Sequence, residues 1–199
     1  MRVHLILLAI LILLQGCQTK PVRNPVPEDL QDDVTVLGSD KYRIWAHHSP
    51  KDLKETLLKS HQQQIASGLM YDKQGKLKDI HVLAISGGGD KGAFAAGLLA
   101  GWTESGTRPE FQTVTGISTG ALIAPFAFLG PEYDGTLKEL YTSYSTSDLA
   151  EQRSVLSLLV SDAVMDVSSF KEILADYVDE ELLRAVAREY NRGRILLIG

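Results

Sequence analysis

The sequence predicts an α/β fold, a mainly parallel sheet with covering helices, and three stretches carry that expectation. Ile80–Ser86 is a short apolar, β-branched run that enters the glycines of 87–92 and then the small and apolar residues of 93–105. Phe111–Ile117 repeats the move, passing through a tight turn into the Ala- and Leu-rich stretch 118–129. RILLIG at 194–199 reads as a further buried strand. Parallel neighbours need a crossover, and a helix between each pair supplies it.

Composition narrows the class. With 199 residues, 44% of them hydrophobic, the chain can close one domain around a core. Its formal net charge of -5, without any Lys/Arg run, argues against a nucleic-acid partner, which needs clustered cations to displace phosphate counterions. A single cysteine, Cys17, excludes an internal disulfide framework and has no second thiol with which to hold a metal.

The start of the chain accounts for that cysteine. Leu5–Leu14 is unbroken apolar sequence after Arg2 and His4, and Gly16 immediately precedes Cys17. A hydrocarbon core of about 30 Å needs roughly twenty helical residues, so residues 1–16 are expected to be a cleaved export signal rather than a permanent span. Leu14-Gln15-Gly16-Cys17 resembles the lipobox of bacterial lipoproteins, although Gln15 departs from the small or β-branched residue usual there. Cys17 is therefore expected to be lipidated and to anchor the protein to a membrane. Gln18 beside it favours the outer membrane, facing the periplasm, in a Gram-negative cell.

Residues 17–33 follow as the lipidated cysteine and a flexible linker, rich in proline and charge and without apolar period. The domain is expected over 34–199. Val34–Ala46 alternates well enough for a strand or an extended strip. Ser49-Pro50 caps a helix running to Ala66, with Leu53, Leu57, Leu58 and Ile65 at roughly helical spacing and Gly68 as its stop. The strands and helices named above come next, the first helix closing near Gly106 and the second at Gly130-Pro131. Further helices are expected near 134–145, 153–161, 168–178 and 180–191, the last with acidic residues at its start and Arg188 and Arg192 at its end. RILLIG then closes the chain with neither turn nor helix after it, so the sheet reads as incomplete.

Two motifs carry the chemistry. Gly116-Ile117-Ser118-Thr119-Gly120 is G-x-S-x-G between a strand and a helix, the context in which glycines permit a strained turn that lifts a serine hydroxyl above the sheet. The second is Gly87-Gly88-Gly89-Asp90-Lys91-Gly92, whose backbone N–H groups can converge on one concavity as an oxyanion hole. As G-x-G-x-x-G the loop also fits a dinucleotide fingerprint, but Ile117-Ser118 stand where the next strand should end in an acidic ribose-binding residue. Ala93 after Gly92 excludes a Walker A loop. All five histidines, His4, His47, His48, His61 and His81, precede Ser118, so the Ser…Asp…His chain order of an α/β-hydrolase triad is not encoded.

The stretches 84–94 (AISGGGDKGAF) and 115–122 (TGISTGAL) together resemble the patatin-like phospholipase family, over about residues 80–199. That resemblance implies a three-layer αβα sandwich, lipid or acyl-ester substrates, and a Ser-Asp dyad in which an aspartate takes the Ser118 proton. Neither metal nor organic cofactor is implied. The family's aspartate sits in an Asp-Gly-Gly or Asp-Gly-Ala motif after a later strand, and none occurs before Gly199. Asp134-Gly135 falls too close behind the nucleophile helix for that role. The chain thus reads as the N-terminal part of a longer hydrolase domain, without its base. The alternative is a noncatalytic lipoprotein that keeps the fold to bind lipid or a partner.

Overall fold

A computed structural model describes residues 26–39, 42–44, 51–143, 151–152, 165–166 and 168–199. The export signal, Cys17, Trp45, the His47-His48 pair, the Ser49-Pro50 cap and the helix expected at 153–161 lie outside the described residues. The chain divides into two compact units, one of residues 1–43 and 153–164 and the other of 44–152 and 165–199.

In the first unit the end of the expected linker, Glu28–Asp33, forms a 3-10 helix after Pro27. Within Val34–Ala46, expected as a strand or an extended strip, residues 36–39 form a tight turn, in which Val36 and Ser39 exchange backbone hydrogen bonds of 2.8 and 3.0 Å. Leu37 and Gly38 take φ of 52° and 77° at its tip, the left-handed conformation that a two-residue reversal demands.

The second unit opens with helix α1, Lys51–Ala66. Gly68, at φ 73°, ends it, and the Leu69 N–H returns to the Gln64 carbonyl as in a helix-terminating glycine motif. Strand β1 is Val82–Ile85, helix α2 Gly92–Glu104, strand β2 Thr113–Gly116 and helix α3 Thr119–Leu129. Helix α4 spans Asp134–Ser143, and the short strands β3 (Glu151–Gln152) and β4 (Met165–Asp166) pair antiparallel. Helices α5 (Ser168–Tyr177) and α6 (Glu180–Asn191) lead into β5, Ile195–Ile198. Asp179 caps α6 by accepting the Leu182 N–H at 2.8 Å.

The sheet is parallel in the order β1-β2-β5, with Ile85, Gly116 and Ile198 in one row at its C-terminal edge. The α/β fold read from the sequence is therefore the fold observed. Leu83, Ile85, Val114 and Leu196 belong to the face that meets the helices, and Val114 is completely buried among Ile123, Phe126, Phe128 and Leu137. β1 and β5, expected as buried strands, are the two margins of this sheet. Val82 is 63% exposed and Ile198 56%. An apolar run marks a strand, but its burial depends on neighbours that the run does not encode. Helix α2 likewise buries only part of its apolar surface: Ala96 and Leu99 are buried, while Phe94 and Leu98 face solvent. Helix α3 continues through Pro125. That proline has no N–H to return to the Ala121 carbonyl, and the buried residues on either side hold the helix instead.

Candidate active site

Ser118 sits where β2 ends and α3 begins, at φ 55° and ψ −122°. A non-glycine residue held there costs about 1–3 kcal/mol of backbone strain. The neighbouring glycines explain why the chain tolerates the turn. A Cβ on Gly116 would collide with the backbone of Gly120, and one on Gly120 with the carbonyls of Ile85 and Ser86. Only bare backbone lets the start of α3 press on the end of β1. The turn is closed by Gly120 N–H to Ile117 O and Ala121 N–H to Ser118 O, both 2.9 Å, and Ser118 N–H donates to Gly199 O at 3.2 Å. Both Ile117 and Ser118 are solvent-exposed.

The glycine loop meets this serine. Gly88 takes φ 154° with ψ 20°, Gly89 takes φ 58°, and the 3-10 turn Gly89–Lys91 then feeds directly into α2. A Cβ built on Gly87 would stand 3.0 Å from Ser118 Cβ and 3.6 Å from Ser118 Oγ. Lys91 N–H is used by Gly88 O, and Gly92 N–H by Gly89 O and Asp90 O. The N–H groups of Gly87, Gly88 and Gly89, and that of Thr119 at the first turn of α3, have no acceptor among the described residues. Donors left open beside a raised hydroxyl, with a helix N-terminus behind, are what a tetrahedral oxyanion requires.

An apolar groove of ≈ 520 Å³ runs away from the loop between β1 and α2, lined by Leu83, Gly87, Lys91, Phe94, Leu98 and Trp102. That size lies within the range of small-molecule sites.

Other polar groups lie apart from this centre. Asp134 Oδ1 is 2.6 Å from Arg108 Nη1, and Arg108 Nη2 donates to Ala127 O at 3.2 Å. Ala127 is near the C-terminal end of the eleven-residue α3, about 12–16 Å along the helix from the end that carries Ser118. Asp134 thus belongs to a largely buried ion pair with Arg108. The backbone N–H of His81, just before β1, donates to Gln112 Oε1 at 2.7 Å. Among the described residues, no carboxylate or imidazole hydrogen-bonds Ser118 Oγ, and no group of three or more His, Cys, Asp or Glu is placed to hold a metal.

One contact has no signal in the sequence. Tyr141 Oη on α4 is 2.7 Å from Thr119 Oγ1, beside the candidate nucleophile. The G-x-S-x-G pattern leaves Thr119 free in identity, and nothing in the pattern of α4 points to a tyrosine reaching it.

The fold is thus α/β, with a strained serine between strand and helix beside a glycine loop whose amides are open. The profile of the patatin-like phospholipase family matches residues 83–194, and the chain belongs to that family. It is also 28% identical over 145 residues to calcium-independent phospholipase A2-gamma of Rattus norvegicus, covering 70% of this chain. The chain spans 19% of the length of that relative. No solved structure matches it significantly.

Proposed function

We propose that this chain carries the nucleophile and oxyanion loop of an exported, membrane-tethered lipid acyl hydrolase. The observation that carries the reading is the contact of Gly87 with Ser118, which places open backbone amides beside a strained, exposed hydroxyl. In the proposed reaction Ser118 Oγ attacks the ester carbonyl carbon while a base takes its proton. The carbonyl oxygen becomes an alkoxide held by the 87–89 amides and Thr119 N–H. Collapse expels the alcohol, protonated by the same base, and water then hydrolyses the acyl-serine. Loss of one oxyanion donor commonly costs about 100- to 1000-fold in rate. The apolar groove leading from Gly87 supports a fatty acyl chain as the group transferred.

In this reading the base is an aspartate supplied from outside residues 1–199, as in the family's Ser-Asp dyad. Lipidation of Cys17 supplies the tether, and palmitate incorporation lost in Cys17→Ala tests it. The undecorated Ser118 Oγ favours one rival, a noncatalytic lipoprotein that binds lipid through the same groove. Fatty-acid release from phospholipid vesicles by the full reading frame, abolished by Ser118→Ala, is the result expected of the hydrolase. Vesicle binding without release, unchanged by Ser118→Ala, is the result expected of the rival.

A further inference from the structure

The Tyr141 hydroxyl is the point at which three segments meet. Its Oη lies 2.7 Å from Thr119 Oγ1 and 3.5 Å from the Thr119 carbonyl oxygen. Gly92 fills the space beneath them: a Cβ there would stand 2.5 Å from both Thr119 Oγ1 and Tyr141 Oη, and 3.0 Å from Tyr141 Cε1. Thr119 directly follows Ser118, and Gly92 is the last residue of the glycine loop. The tyrosine therefore grips the two halves of the candidate site at their junction, while its ring packs against the core.

Such a grip matters because the Ser118 turn is strained and persists only if its surroundings over-determine it. Ser118 Oγ itself has no hydrogen bond among the described residues, so its position is set through the backbone on either side. Gly199 O holds the Ser118 N–H. On the other side the first side chain with a fixing contact is Thr119, and its partner is Tyr141.

We propose that Tyr141 is a positioning residue, which through Thr119 fixes the Ser118 turn against the 87–92 loop at the spacing that acyl transfer needs. This rests on the reading of Ser118 as nucleophile. Tyr141 is not a proton carrier in this scheme: burial raises its phenol above the ordinary value of 10.0, against the opposing effect of the Thr119 hydrogen bond. The neutral hydroxyl is thus the form present at physiological pH.

The test measures second-order labelling of Ser118 by a fluorophosphonate in the wild-type chain, Tyr141→Phe, Thr119→Val and their double variant. Tyr141→Phe removes only the hydroxyl, and Thr119→Val keeps the shape of the side chain it replaces. Each is expected to slow labelling by roughly tenfold, and the double variant by no more than either. Wild-type rates in Tyr141→Phe, or losses that multiply in the double variant, overturn the proposal. Amide hydrogen exchange over 89–92 and 116–121 reads the grip without chemistry and should quicken in Tyr141→Phe. A wild-type chain that never labels defeats the nucleophile reading, and unchanged exchange then defeats the grip as well.

Discussion

Ser118 combines a positive φ with a bulky alternative to glycine, and the two halves of that combination separate by mutation. Ser118→Gly should abolish fluorophosphonate labelling while releasing part of the about 1–3 kcal/mol of strain, less about 0.5–1 kcal/mol for the freer unfolded chain. A thermal melt should therefore show a midpoint equal to or above that of wild type. Ser118→Ala, which keeps the Cβ and the strain, should lose labelling with no such gain. The serine and its glycines were legible because each is demanded by one local geometry, which leaves a fixed pattern in sequence. Tyr141 was not legible. Its role comes from where α4 packs, and packing of a distant helix leaves no spacing to read. Asp134 and Arg108 were unreadable as a pair for the same reason, being joined only when the end of α3 is brought over both.

Among the elements, the start of α3 presses directly on the end of β1. Gly120→Ala places a methyl group on the Ile85 and Ser86 carbonyls. Because backbone, and not a pliable side chain, must give way, this should cost at least about 1–3 kcal/mol in a urea melt and remove labelling together with it. Helix α1 shows where periodicity misleads. The leucines that define its apolar spacing, Leu57 and Leu58, are about half exposed, whereas the polar Ser60 and Gln64 are buried. Ser60 Oγ and Gln64 Nε2 donate to the Gly193 carbonyl at 2.5 and 2.9 Å, and Ser67 Oγ to Arg192 O at 2.8 Å. Donors face inward here because a turn with an unsatisfied carbonyl lies beneath them, and a buried carbonyl must be paired. Gly193, at φ 97°, leaves room for that helix, since a Cβ would meet the α1 backbone at Ser60 and Gln64. The three strands of the parallel sheet were legible, whereas β3 and β4 were not and the alternation after Val34 proved to hold a turn; strand burial was not legible, because β1 and β5 read like β2 and differ only in having one neighbour.

Across the sheet domain, Arg194 joins several separate segments. Its side chain is 3% exposed. It donates through Nε to Phe111 O at 2.8 Å, through Nη2 to Phe128 O and through Nη1 to Glu189 at 2.8 Å, with its guanidinium 4.4 Å from the Phe128 ring centre. The entry to β2, the end of α3, the end of α6 and the start of β5 are thus held at one charge. Arg194→Leu leaves two carbonyls and a carboxylate short of a partner and should cost about 3–5 kcal/mol, seen as a lower denaturant midpoint. Burial pushes the Glu189 carboxyl up, but hydrogen bonds and charge from Arg194 and Arg192 outweigh it and hold the group below its ordinary value of 4.5. The stability from this pairing is therefore present above pH 4.5 and is lost as pH falls through the lower folded value. In Glu189→Gln that acid-dependent part of the melt should be absent.

These scales meet in one claim, that the folded chain presents Ser118 to an oxyanion nest made by residues 87–89. Catalytic sites that lose their base keep about 1000- to 10000-fold of their advantage over water through the remaining machinery. The most direct measurement is therefore fluorophosphonate labelling of residues 18–199, with the modified residue located by mass spectrometry and folding checked by circular dichroism. Modification is expected to be slow and confined to Ser118, slower still in Gly88→Ala and absent in Ser118→Ala. A folded chain in which Ser118 reacts no faster than the other serines would contradict that claim.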